Sequence, residues 1–230
     1  MKKITGYFTK FEIALWSSSV MIILISFVWF RSGGVLSAIA SIIGVTSLIF
    51  SAKGNPIGQL LMIVFSVLYG VISFSSAYYG EMITYLGMTA PMALFALISW
   101  LKNPFSEDRS EVKVNDITLK ETVFMCARTA VVTAVFYYIL KVMNTANLVW
   151  STLSVTTSFF AVYLTFRRSP FFALAYAAND AVLIIMWILA AVKNISYLSV
   201  IVCFFIFLVN DLYGFNSWIK MRKRQRKLSC

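Results

Sequence analysis

The feature that most constrains this chain is a succession of apolar runs, each about 20 residues long, with little chain between them. At 1.5 Å per residue, one such run wound into a helix crosses the roughly 30 Å hydrocarbon layer of a bilayer. Eight runs can be read, at residues 11–30, 35–52, 56–78, 81–101, 121–142, 148–166, 170–192 and 197–220. A tight turn at Tyr79-Gly80 is expected between the third and fourth. The only sizeable loop is 102–120, with four basic and four acidic residues. The expected fold class is therefore an all-α integral membrane protein with about eight transmembrane helices. Only 13% of residues are charged and the mean hydropathy is +0.83, which excludes an ordinary soluble domain. Lys2, Lys3 and Lys10 precede the first run in the manner of a signal peptide. Its apolar stretch is long and no small-residue cleavage pattern follows, so a retained helix is expected.

Charge placement sets orientation. The net charge is +11, and six basic residues sit in the tail as Lys220, Arg222, Lys223, Arg224, Arg226 and Lys227. Next to a membrane span, that run reads as contact with anionic lipid and as a topology signal rather than as nucleic-acid binding. With eight spans, both termini share a face. That face then carries sixteen basic residues: the tail six with Lys2, Lys3, Lys10, Lys53, Lys102, Arg109, Lys113, Lys120, Arg167 and Arg168. The other face carries three, Arg31, Lys141 and Lys193, and Arg128 lies inside the fifth span. The positive-inside rule then places both termini in the cytoplasm of a bacterial-type inner membrane. The chain has no histidine, and Cys126, Cys203 and Cys230 form no metal or disulfide pattern. Without a histidine motif, clustered acids or a nucleophile in context, neither an enzyme nor a cofactor is expected.

A repeat is also legible. The second span ends in Lys53-Gly54-Asn55-Pro56 and the sixth in Arg167-Arg168-Ser169-Pro170, each proline opening the next span. The fourth closes in Ser99-Trp100-Leu101-Lys102 and the eighth in Ser217-Trp218-Ile219-Lys220. Proline to tryptophan is 44 residues in the first case and 48 in the second. The expected organisation is an N-terminal helix (1–34), a three-helix unit (35–102), a loop and linking helix (103–147), a second three-helix unit (148–220) and a basic tail (221–230). One linking helix brings the second unit in with the orientation of the first, making a parallel repeat.

Polar groups at membrane depth mark function more often than not. In the seventh span Tyr176, Asp180 and Trp187 share a side, with Asn179 beside them; in the eighth, Asn210, Tyr213 and Ser217 share a face, with Asp211 adjacent. The third span offers Gln59, Ser66 and Ser73, with Tyr69 near Ser66. Serines at such places commonly tie helices together. The two Asn-Asp pairs with aromatics suit a ligand: carboxylates for a cation, amides and phenols for hydroxyls or a carboxamide, rings for a stacked ring. The candidate substrate site is thus Asn179, Asp180, Trp187, Asn210, Asp211, Tyr213, Tyr69 and Gln59.

Three stretches carry a family resemblance: Tyr79-Gly80-Glu81, the close from Ser99 to Asn103, and Asn210-Asp211-Leu212-Tyr213-Gly214-Phe215-Asn216-Ser217-Trp218. With these, the chain from about Val35 to Arg222 resembles the PnuC family of nicotinamide riboside transporters. The resemblance implies a duplicated three-helix unit similar to that of SWEET sugar transporters. It also implies a homotrimer, and facilitated diffusion of a vitamin precursor that intracellular phosphorylation traps. The family pattern has tryptophan-rich sequence at the start of the seventh span; here Ser169-Pro170-Phe171-Phe172 and Tyr176 stand there. Relatives handle thiamine, riboflavin or deoxynucleosides, so the ligand stays open among these. A substrate-binding subunit of an energy-coupled vitamin importer is the rival reading, and it usually lacks the eight spans and this repeat. Proton coupling through Asp180 or Asp211 also stays open.

Overall fold

The computed structural model describes residues 6–30, 35–75, 79–105, 107, 109–145, 147–192 and 195–229. Lys2, Lys3, Arg31, Tyr78, Lys193 and Cys230, all used above, lie outside the described residues. Eight helices among the described residues are long and apolar enough to cross a membrane. They are α1 (Lys10–Phe30), α2 (Val35–Ala52), α3 (Ile57–Ser75), α4 (79–102), α5 (Leu119–Val142), α6 (Leu148–Phe166), α7 (Phe171–Ala191) and α8 (Leu198–Ser229).

Three boundaries differ from expectation. The turn expected at Tyr79-Gly80 is instead the opening of α4. Gly80 serves there as a contact: a Cβ would stand 2.9 Å from a Leu140 methyl on α5. Next, α4 is not one regular helix. An α-helical piece (Tyr79–Ile83) gives way to a π-helical stretch (Thr84–Thr89), and α-helix resumes over Ala90–Lys102. Pro91 explains it, because a proline ring collides with the carbonyl four residues back in a regular helix. Widening relieves this, and the Ala90 N–H donates to the Tyr85 carbonyl, five residues back. Finally, the basic tail 221–230 is not a separate segment: α8 continues unbroken to Ser229.

Packing between helices closes a ring. α2 packs on α3, α3 on α4, α4 on α6, α6 on α7, α7 on α8, and α8 back on α2. α1 lies outside the ring against α2 and α8, and α5 lies outside it against α6.

One end of the bundle is tied together by the loop. The Val112 N–H donates to the Gly54 carbonyl at 2.9 Å, and the Asn115 N–H to the Arg168 carbonyl at 3.0 Å. Gln225, buried on α8, donates to the Val112 carbonyl (2.9 Å) and to Glu111 (2.7 Å). Arg222 and Arg226 pair with Asp116, and Arg224 with Glu111. Residues 109–118 therefore form a strap across both interhelical turns, and Met221 and Gln225 of α8 dock beneath it. Tyr7 reaches the same end, its hydroxyl donating to the Ser110 carbonyl at 3.3 Å. Lys53, Arg167, Arg168 and the α8 extension thus share one face, called below the strap end.

Each turn is held by the same bonds. Gly54 (φ +68°) and Arg168 (φ +56°) both adopt the left-handed conformation that ends a helix. The Gly54 N–H donates to the Ser51 carbonyl at 2.9 Å, and the Arg168 N–H to that of Thr165 at 3.0 Å. The tryptophans cross over. The Trp218 indole donates to the Ser51 carbonyl (2.7 Å) and the Trp100 indole to the Thr165 carbonyl (2.9 Å). Both rings are fully buried, with centroids 5.3 Å apart.

Candidate functional site

Groups that meet across a ring, rather than between neighbours in it, mark its interior. By that test two aromatic layers line the axis. Farther from the strap end, Tyr69 and Phe65 of α3 pack on Tyr85 of α4 (4.5 and 5.9 Å between centroids). The same two rings reach Phe204 (6.3 Å from Tyr69) and Phe207 (5.7 Å from Phe65) on α8, which does not neighbour α3 in the ring. At the strap end Trp100, Phe172 and Trp218 form the second layer, with Phe172 and Trp218 centroids 4.9 Å apart.

Two acids occupy the space between. Asp180 of α7 and Asp211 of α8 are both buried, and their carboxyl groups meet side chain to side chain. Among the described residues neither forms an ion pair, and Oδ2 of Asp180 has no hydrogen-bond partner. Two carboxyl groups that hydrogen-bond each other share a proton, so the pair carries at most one negative charge, and among the described residues no side-chain cation offsets it. Tyr176 lies within electrostatic range of both, and Tyr85 within range of Asp180. Next to Asp180, Asn179 accepts from the Thr157 hydroxyl (2.8 Å) and the Ser158 hydroxyl (3.0 Å) of α6. Those two bonds hold its Oδ1.

The other sequence candidates fall elsewhere. Tyr69 belongs to the outer aromatic layer. Trp187, farther along α7, packs on Tyr197, centroids 5.1 Å apart. Gln59, near the start of α3, donates to the Ser51 hydroxyl at 3.3 Å, joining α3 to α2. Asn210 and Tyr213 turn away from Asp180 toward α1. The Asn210 amide donates to the Ser19 hydroxyl (3.1 Å) and to the Ile206 carbonyl (2.8 Å), while its own Oδ1 has no partner. The Tyr213 hydroxyl donates to Glu12 at 2.9 Å. Adjacent residues on a helix point about 100° apart, so Asn210 and Asp211 serve different neighbours.

Sequence reading missed three residues. Glu12 is buried at the strap end of α1, where it pairs with Lys53 (3.1 Å) and closes a capping box with Thr9 (2.6 and 3.2 Å). Its signal was an acid three residues after a threonine at a helix start. Glu81 and Tyr85 stand one turn apart on α4, both buried, and Oε2 of Glu81 has no partner. An acid and a phenol at i, i+4 in an apolar span were the available signal. At the strap end, burial and then the neighbouring Arg167 charge lower the Arg168 pKa, and its guanidinium donates to the Ser99 hydroxyl at 2.8 Å. Among the described residues no group of three potential metal ligands gathers.

This arrangement has relatives. A family model described as nicotinamide mononucleotide transporter matches residues 34–220. The nicotinamide riboside transporter PnuC of Neisseria mucosa is 25% identical over 228 residues, 97% of this chain and 86% of that protein. The PnuC protein of Haemophilus influenzae is 23% identical over 190 residues, 82% of this chain and 81% of its own length. A crystal structure of the vitamin B3 transporter PnuC superposes with a TM-score of 0.82, covering 96% of this chain and 95% of that one at 24% identity. The match spans all but the ends of the chain and takes in the whole ring of helices, so this multi-pass membrane protein, a transporter and not an enzyme, belongs to the PnuC family of nicotinamide riboside transporters.

Proposed function

We propose that this chain takes up nicotinamide riboside by facilitated diffusion, and that intracellular phosphorylation traps the substrate. The observation that carries this reading is the Asp180–Asp211 pair, enclosed by the ring and lacking a cation. Nicotinamide riboside is a pyridinium cation bearing a carboxamide and ribose hydroxyls. Its charge complements the acids, the Tyr69, Tyr85 and Tyr176 rings can enclose its ring, and Asn179 offers an amide to its hydroxyls. Asn210, Tyr213, Trp187 and Gln59 complete the proposed site as residues that position the helices or line the path to it. The names of the two relatives supply the same ligand.

The chain sits in the bacterial-type inner membrane with both termini cytoplasmic; the basic residues gathered at the strap end support this. Residues 35–102 and 148–220 form parallel repeats of SWEET type, linked by α5. The paired turn bonds and the crossed tryptophan bonds support that reading. The assembly is a homotrimer, which native mass spectrometry checks directly.

The test of the ligand is a thermal-shift or calorimetric screen of purified protein against nicotinamide riboside, thiamine, riboflavin and a deoxynucleoside. Nicotinamide riboside is expected to bind most tightly; tighter binding of any of the others overturns the assignment. Uptake into proteoliposomes should survive a protonophore. Loss of uptake under that treatment would instead favour proton coupling through the acid pair.

A further inference from the structure

Outside the ring, the outer face of α5 and α6 carries a groove. Lys120, Phe124 and Arg128 stand four residues apart on α5, a single stripe at helical spacing. With Arg167 and Phe166 at the strap end of α6 they line a groove of about 420 Å³. A second hollow of about 360 Å³ shares Phe124 and Arg128 and continues along Val131, Val132 and Phe159. The groove is therefore basic at its strap end and apolar beyond.

Its charges do not cancel. Glu121 pairs with Arg167, which leaves Lys120 and Arg128 with no acidic partner among the described residues. Arg128 is exposed and packs against the Phe124 ring, 4.9 Å from its centroid. It lies eight residues, about 12 Å, deeper along the helix than Lys120. An unpaired guanidinium at that depth costs several kcal/mol unless it reaches a polar group at the interface. The hollow beyond it is lined by apolar side chains, as an acyl chain requires.

We propose that this groove is a binding site for one anionic phospholipid. Its phosphate lies between Lys120 and Arg128, and an acyl chain lies along Val132 and Phe159. This is separate from the substrate path, because α5 packs outside the ring. A zwitterionic lipid brings a cation to the same place and fits less well. Arginine also binds phosphate with a planar fork that lysine lacks.

Native mass spectrometry of the detergent-purified full chain tests the proposal, with phosphatidylglycerol or phosphatidylcholine added back. One phosphatidylglycerol is expected to stay bound through activation that strips phosphatidylcholine. Arg128→Ala should lower its retention about tenfold, with Arg128→Lys intermediate. Val132→Trp, which fills the apolar hollow and keeps both cations, should lower it too and guards against a poorly folded Arg128 variant. Equal retention of the two lipids overturns the proposal, as does unchanged retention in Arg128→Ala. A change of oligomeric state in Arg128→Ala without a change in lipid retention also overturns it, making the groove a contact between copies.

Discussion

Ten residues past Pro56 stands Ser66; ten past Pro170 stands Asp180. Seven residues before Trp100 stands Ala93; seven before Trp218 stands Asp211. All four are buried. The two three-helix segments thus use the same turns, the same prolines and the same tryptophan bonds at the strap end, and diverge at mid-membrane. One half brings a small hydroxyl and a methyl to the depth where the other brings two acids. Scaffold is matched and chemistry is not. The proposed cationic ligand would account for this: a single acid pair serves one ligand, and a second pair opposite it would add desolvation cost without a charge to offset.

The largest effect that could break this contrast lies at the acids. Asp180→Ala should lower nicotinamide riboside binding at least about tenfold, and Asp211→Ala should do nearly the same. Because the two share one site, the double variant should be little worse than either single one, which calorimetry would read as non-additivity. Ser66→Ala, the matched position in the first half, should leave binding unchanged. An equal loss there would mean that both halves carry the ligand.

The matched side of the comparison makes a smaller prediction. Trp100→Phe and Trp218→Phe each remove one indole donor and leave its carbonyl with only the backbone bond of the turn. Each should destabilise the protein by about 1–2 kcal/mol in thermal unfolding, and by similar amounts. Markedly unequal losses would break the symmetry at the strap end. Gly54→Ala should cost about 1 kcal/mol, because alanine resists the left-handed conformation that glycine adopts freely. Arg168→Gly gains that backbone freedom and loses the bonds to Ser99 and the Lys113 carbonyl, so gain and loss should partly offset.

The smallest effect concerns α1, which has no counterpart in the second half. Asn210→Ala and Ser19→Ala both break the bond between these two side chains inside the membrane, worth about 0.6 kcal/mol, and Asn210→Ala also loses the bond to the Ile206 carbonyl. They should be non-additive in unfolding, and each should change ligand binding less than Asp180→Ala. If Asn210→Ala abolished binding without loosening α1, its unpartnered Oδ1 would belong to the ligand site.

The sequence by itself determined that this is a membrane protein of eight helices, because apolar length against bilayer thickness admits few alternatives. It also determined which residues bracket each turn, because proline and tryptophan act locally, on their own helix end. Pro91 was equally visible, yet its consequence, the π-helical stretch that sets the position of Tyr85, depends on neighbours that fix how the helix yields. What only the tertiary structure decided is direction. Asn210 and Asp211 are adjacent in the chain and within about 1.5 Å in depth, and nothing local says that one would face α1 and the other the ring. That choice depends on which helices lie on either side of α8, and so on contacts between residues as far apart in sequence as Ser19 and Asn210. Glu12 shows the same limit: its place at a helix start says nothing of burial, and only the approach of α2 and α8 buries it against Lys53 and Tyr213.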